Sequence, residues 1–127
     1  MVTIIDFTGG LTMSITKVCP IEEAINLIGH KWKVLIIRNL LNTNNQRFGC
    51  LQKGIDGISQ KMLTQQLRQM EQDGLVSRKV FAEVPPKVEY SLTDLGRSMQ
   101  PILESISIWG KGYLKIKGTD SKDFIDD

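Results

Sequence analysis

The sequence predicts a mainly α-helical protein with one small β-hairpin. Apolar residues recur every three or four positions through most of residues 20–116, which is the helical period. Strict alternation of apolar and polar residues occurs from Val88 to Leu92, and the segment from Leu75 to Phe81 is rich in β-forming residues. Pro85 and Pro86 stand between these two segments and cannot lie in a central strand. We therefore expect a hairpin with an exposed tip beside a set of helices.

Composition excludes several classes of protein. The chain has 127 residues, which fits one domain, and 41% are apolar. The longest apolar run is four residues, Val34 to Ile37, so no membrane span is expected, and the first twelve residues lack the basic residues of a secretory signal peptide. The two cysteines lie far apart and His30 is the one histidine, so neither a disulfide framework nor a metal site is predicted. We expect a cytoplasmic, mostly reduced protein without a cofactor.

The charge of the chain is unevenly distributed. Residues 17–118 hold fifteen basic and nine acidic residues, a balance of +6, whereas residues 119–127 hold one lysine and four aspartates, a balance of −3. A basic body is compatible with a polyanionic partner, although such a balance also occurs in proteins that bind none.

The helices follow one another from Pro20 onward. After an N-terminal arm, residues 1–18, Cys19 is positioned to cap a short helix that Gly29 ends. The next helix, about residues 31–42, is apolar on two sides and is expected to form the core. A short helix over residues 47–55 precedes a longer one over residues 60–72, which Ser59 caps and Gly74 ends in a left-handed conformation.

A helix, a short turn and a second, capped helix form a helix-turn-helix pattern, and the hairpin follows at once. This order predicts a winged helix-turn-helix. After the hairpin, Thr93 is expected to cap one last helix, kinked at Pro101, whose apolar residues keep heptad spacing. These apolar residues form a continuous strip along the helix, here called the seam. A seam of this length favours a partner helix from a second chain. The predicted dimer interface combines the seam with the stripe on the first helix: Ile21, Ile25, Ile28, Leu95, Met99, Ile102, Ile106, Trp109 and Tyr113.

The longer helix, residues 60–72, carries a polar face without acids. Such a face offers donors and acceptors to base edges and cations to phosphates. The alternative is an ordinary solvated helix face, but those faces usually mix glutamate with lysine. The candidate DNA contacts of this segment are Ser59, Gln60, Lys61, Thr64, Gln65 and Arg68. Backbone contacts are expected from Arg47 and from the wing residues Arg78, Lys79 and Lys87, although Glu83 and Glu89 dilute the charge there.

The two cysteines have different expected roles. A thiol at a helix N-terminus with Lys17 nearby favours the thiolate, while Glu22 and Glu23 oppose it, so Cys19 is either a reactive sensor or a structural residue. Cys50 is expected to be a small buried hydrophobe. Catalysis has little support, because no glycine-rich phosphate loop and no acid/base set is present in the sequence. The alternative to a DNA-binding protein is a winged helix that serves as a protein–protein adaptor.

Several segments closely resemble the HxlR-type winged helix-turn-helix regulators. They are Cys19-Pro20, the residues 29–33, Arg47-Phe48, the residues 57–68 and 73–78, and the wing segment 85–93. The likeness covers about residues 18–110 and predicts a helical domain with dimerisation helices over 19–117, followed by an acidic tail, 118–127. The arm is longer and more apolar than in the family, and Met13 is an alternative start. His30 stands where a small residue is common.

The resemblance implies a bacterial homodimer that binds double-stranded operator DNA through the helix at Ser59–Arg68 and the wing, with dimer contacts from the terminal helices. Several members of the family sense electrophiles, quinones or oxidants through a cysteine placed like Cys19. A thiol-reactive effector is therefore a possible partner of this chain, whereas neither a membrane nor an enzymatic activity is expected.

Overall fold

The computed structural model describes residues 2–5 and 14–119, so the predicted acidic tail beyond Thr119 and much of the N-terminal arm lie outside the described residues. The chain divides into two compact units, residues 1–31 and residues 32–127. None of the helices in the described part of the chain has the length and apolar content that a membrane span requires.

The first unit contains a strand pair and a helix. Strands β1 (Val2–Ile5) and β2 (Ser14–Lys17) are antiparallel, with Val2 opposite Lys17 and Ile5 opposite Ser14. This pair is not among the predicted elements, although both segments contain β-branched residues that favour strands. Helix α1 (Pro20–Ile28) begins as predicted, with Cys19 at the N-cap and Pro20 in the first turn, where its missing N–H costs nothing.

The second unit contains the predicted winged helix-turn-helix. Helix α2 (Lys31–Thr43) contributes the fully buried side chains Ile36, Ile37 and Leu40, which confirms its place in the core. Strand β3 (Asn45–Arg47) and helices α3 (Phe48–Gly54) and α4 (Gln60–Gln72) follow, and strands β4 (Val76–Phe81) and β5 (Lys87–Leu92) form the hairpin. The fold class predicted from the sequence is thus confirmed.

Helix α4 begins and ends as its sequence predicts. The Ser59 hydroxyl oxygen accepts a hydrogen bond from the Met62 N–H at 3.0 Å. At the other end Gly74 has φ +83°, the Leu75 N–H donates to the Met70 carbonyl at 2.9 Å, and the Gly74 N–H donates to that of Glu71 at 3.1 Å. These two bonds are the Schellman pattern. The ends of the helix are therefore fixed by local sequence.

The sheet has one strand more than the sequence analysis predicted. Strand β3 (Asn45–Arg47) pairs antiparallel with β5, so the strand order is β3-β5-β4. The sequence Asn42-Thr43-Asn44-Asn45 is typical of a turn and predicts one here. The turn itself is present, since Asn44 adopts φ 72°, and the three residues after it extend the sheet. Strand β5 is consequently the central strand.

The prediction of one kinked helix after the wing is wrong. Thr93 does cap a helix, since its hydroxyl oxygen accepts from the Gly96 N–H at 3.1 Å, but this helix, α5, ends after one turn (Asp94–Arg97). A new helix, α6 (Gln100–Ile116), begins with Pro101 in its first turn. Proline removes an N–H and its ring clashes with the carbonyl four residues earlier, so the chain starts a new helix instead of bending one.

Candidate nucleic-acid interface

The acid-free face of α4 lies on the surface. Gln60, Lys61, Gln65 and Arg68 are exposed, and Thr64 is half-buried. The Thr64 hydroxyl donates to the Gln60 carbonyl at 2.9 Å, so its oxygen remains able to accept. A shallow groove runs along this face, lined by Ser59, Gln60, Lys61, Thr64, Gln65, Arg68, Gln69 and Gln72. The six α4 and cap residues predicted to contact DNA thus share one continuous surface.

One predicted wing residue joins this surface. Arg78 of β4 lines a cleft of about 330 Å³ together with Thr64, Arg68 and Glu71 of α4 and Tyr90 of β5. Two arginines, one from the helix and one from the hairpin, therefore line the same cleft. Arginine presents planar donors that suit phosphates and guanine edges. This arrangement brings the polar face of α4 and the hairpin to one side of the unit.

The other predicted backbone contacts lie on the opposite face of the sheet. Arg78 is paired with Tyr90, and both line the cleft beside α4, so their neighbours along each strand point the other way. Lys79 and Lys87 are on that outer face, and so is Arg47, which is paired with Glu89. The alternation of residues along a strand does not show which face of the sheet lies against α4. The sequence alone therefore could not assign these basic residues to one face or the other.

The apolar residues predicted for the dimer interface are unequally exposed. In the first unit Ile21 and Ile25 are exposed, whereas Ile28 is buried. In the second unit Leu95 lies exposed on α5 and Met99 is buried in the turn before α6.

The exposed side chains on one face of α6 are Ile102, Ile106, Trp109 and Tyr113. The rings of Trp109 and Tyr113 stack with centroids 5.9 Å apart and planes 6° from parallel. Ile108, also exposed, was not selected from the sequence because it falls outside the heptad spacing.

Both cysteines are reduced and exposed. Cys19 is at the N-cap of α1, and its side chain makes no capping hydrogen bond. The prediction that Cys50 is buried is wrong. Helix α3 buries Leu51, and Cys50 lies about 100° around the helix from it, on the solvent side with Gly49 and Lys53. Within the described part of the chain, no group of three potential metal ligands comes together.

Comparison with known proteins agrees with this architecture. The model of the HxlR-like helix-turn-helix family matches residues 27–117. The HTH-type transcriptional regulator YdeP of Bacillus subtilis is 43% identical over 95 residues, which are 75% of this chain and 73% of YdeP. A regulator of the same type from Methanothermobacter thermautotrophicus is 46% identical over 95 residues, 75% of this chain and 72% of that protein.

Solved structures include two redox-related neighbours. The reduced form of the redox regulator HypR is 39% identical and covers 79% of this chain and 98% of its own, with a TM-score of 0.73. Diamide-treated YodB from B. subtilis is 36% identical and covers 77% of this chain and 97% of its own, with a TM-score of 0.65. The relatives found by sequence are named as transcriptional regulators and not as enzymes. The chain therefore belongs to the HxlR-like helix-turn-helix family of DNA-binding transcriptional regulators.

Proposed function

We propose that this protein acts in the cytoplasm as a homodimer that binds double-stranded operator DNA in a sequence-specific manner. Helix α4 enters the major groove and the hairpin contacts the flanking backbone. The observation that carries the proposal is the acid-free, exposed face of α4 continuing into the cleft that Arg68 shares with Arg78. Polar side chains there read base edges, and the cations neutralise phosphates.

A two-fold dimer follows from the same assignment. A single α4 reads only a few base pairs, and two copies related by a two-fold axis reach successive major grooves roughly 34 Å apart. Helix α6 supplies a surface for this contact, because Ile102, Ile106 and Trp109 leave about half or more of their side chains exposed. The exposed Ile21 and Ile25 of α1 provide further apolar area. An adaptor without DNA binding would use these apolar surfaces but would not need the acid-free face.

The readout is tested by alanine variants on α4. Arg68→Ala and Gln65→Ala are each expected to weaken operator binding by about 1–3 kcal/mol, because each removes a base-edge contact. Fluorescence anisotropy with an operator fragment selected from genomic DNA measures the change. Lys117→Ala, which removes one exposed charge beyond α6, is the control and should bind like the parent. Parental affinity in both α4 variants would show that the recognition face is misassigned.

We assign a sensing role to Cys19 within this function. Its thiol is exposed at the N-cap of α1 and its side chain makes no capping hydrogen bond, so a reagent in solution can reach it. A thiolate adds to a quinone carbon, forming a C–S bond while a ring oxygen takes up a proton. Diamide instead oxidises two thiols to a disulfide and is reduced to the hydrazine. Similarity to HypR, named a redox regulator, and to YodB supports this role.

The sensor is tested by oxidation of matched variants. Diamide is expected to weaken operator binding by the parent at least ten-fold and to leave Cys19→Ser unaffected, because that variant lacks the reacting thiol. Cys50→Ser serves as the control for the other exposed thiol. Its response identifies the partner: continued sensitivity indicates a bridge between two Cys19 residues, and lost sensitivity indicates a bridge to Cys50. Equal loss in the parent and in Cys19→Ser would end the sensor hypothesis and leave DNA binding intact.

A further inference from the structure

The outer face of the wing carries a compact set of charges around one carboxylate. We name it the outer wing cluster: Arg47, Lys79, Phe81, Lys87 and Glu89. Glu89 lies on the central strand β5, with Arg47 of β3 paired to it on one side and Lys79 of β4 on the other. Directly paired residues place their Cβ atoms about 5 Å apart on the same face. The one acid of the cluster is therefore adjacent to all three of its bases.

Contacts within the cluster tie the lysines to Glu89 and Phe81. The Lys87 ammonium lies 3.4 Å from a Glu89 carboxylate oxygen, and these side chains are 26% and 23% exposed. The ring of Phe81 lies 4.6 Å from the Lys87 ammonium and 5.0 Å from that of Lys79, measured to the ring centroid. An aromatic face attracts both cations. The two ammonium groups are thus gathered over one ring, and one of them is paired with the carboxylate.

We infer that Glu89 restrains the affinity of the wing for phosphate. The carboxylate reduces the formal charge of the cluster from +3 to +2 and occupies Lys87, so a phosphate must displace it. The Lys87 ammonium, 3.4 Å from the carboxylate, lies well within one Debye length of it, about 8–10 Å, so salt does not fully screen the carboxylate from a phosphate that approaches this ammonium. Glu89 is a positioning residue acting through Lys87. The inference rests on the proposed DNA binding and concerns its sequence-independent part.

The test compares two charge-matched variants on random duplex DNA. Glu89→Gln is expected to raise affinity about five-fold near 0.1 M salt and to steepen the dependence of log K on log salt by about 0.9, the effect of one additional phosphate contact. Glu83→Gln removes the same charge from the exposed wing tip, outside the cluster, and should change affinity less than two-fold. Thermal unfolding of each variant shows whether the fold is retained.

A double-mutant cycle tests the route through Lys87. The gain from Glu89→Gln should fall by at least half in a Lys87→Gln background, because the lysine that it releases is absent. An unchanged gain in that background overturns the inference, and so does parental affinity and salt slope in Glu89→Gln itself. A role of Glu89 in folding alone would move the unfolding temperature without producing this coupling.

Salt elution from heparin separates this inference from the proposed function, because heparin is a polyanion without bases. Later elution of Glu89→Gln than of Glu83→Gln supports the restraint whether or not duplex DNA is bound. Co-elution of the two variants contradicts it. Failure of the parent to bind any duplex, together with later elution of Glu89→Gln, would reject the DNA-binding proposal and retain the restraint.

Discussion

Replacement of Ile106 with lysine is expected to convert the dimer into monomers and to abolish operator binding. Ile106 is 53% exposed near the middle of the apolar face of α6, between Ile102 and Trp109. In a dimer formed through this face, the new ammonium would be buried without a partner, which costs several kcal/mol. Sedimentation velocity at micromolar concentration measures the change directly. Loss of the dimer removes the second α4, so the affinity for a two-site operator falls with it.

A matched control lies on the same helix. Ile108 is 71% exposed but sits about 160° around α6 from Ile106, away from the proposed interface. Ile108→Lys introduces the same charge into the same helix and should remain dimeric with parental operator affinity. A stable dimer of Ile106→Lys would contradict the interface, and dissociation caused only by Ile108→Lys would move the interface to the other side of α6.

The second large effect concerns folding. Gly96→Ala is expected to lower the free energy of unfolding by about 2–4 kcal/mol. A Cβ on buried Gly96 would overlap the Leu75 carbonyl oxygen and lie 3.0 Å from a Leu92 methyl carbon. The carbonyl cannot withdraw easily, because it accepts the Thr93 N–H at 3.0 Å, and the Thr93 hydroxyl donates to the Gly74 carbonyl at 2.5 Å. The contact between α5, the end of α4 and the base of the wing therefore has no space for a side chain at Gly96.

Urea unfolding followed by circular dichroism measures this loss. Gly49→Ala is the control, because Gly49 is also helical but a Cβ there meets no atom within 4 Å. Its stability should stay equal or rise by up to about 1 kcal/mol, since alanine is the better helix former. An equal free energy of unfolding for Gly96→Ala and the parent would show that the backbone around Gly96 can accommodate a methyl group.

Local signals predicted the helix-turn-helix accurately. Ser59 and Gly74 mark the ends of α4 through hydrogen bonds that need only nearby residues. The same holds for the hairpin, whose second strand alternates apolar and polar residues and whose tip carries two prolines. Such features can be predicted from the sequence because the interactions that create them span only a few positions.

Features that depend on tertiary packing were not predictable. The heptad spacing from Leu95 to Ile116 predicts one helix. In the structure a second helix begins at Gln100 with Pro101 in its first turn, and Met99 is buried in the turn between the two helices. The exposure of Cys50 could not be predicted, because its apolar neighbours Phe48 and Leu51 do not show which side of a short helix is covered. The basic residues of the wing could be identified from the sequence. That Lys79 and Lys87 lie beside Glu89, on the face of the sheet opposite Arg78, follows only from the register of the strands and the position of α4.

Sequence-specific recognition of DNA is measured by the ratio of two affinities. The purified parent is titrated at about 0.15 M salt against a fragment selected from genomic DNA and against the same fragment with its sequence scrambled. We expect the selected fragment to bind at least about 10³-fold more tightly, the lower end of the usual range for specific regulators. Equal affinities for the two fragments would contradict it.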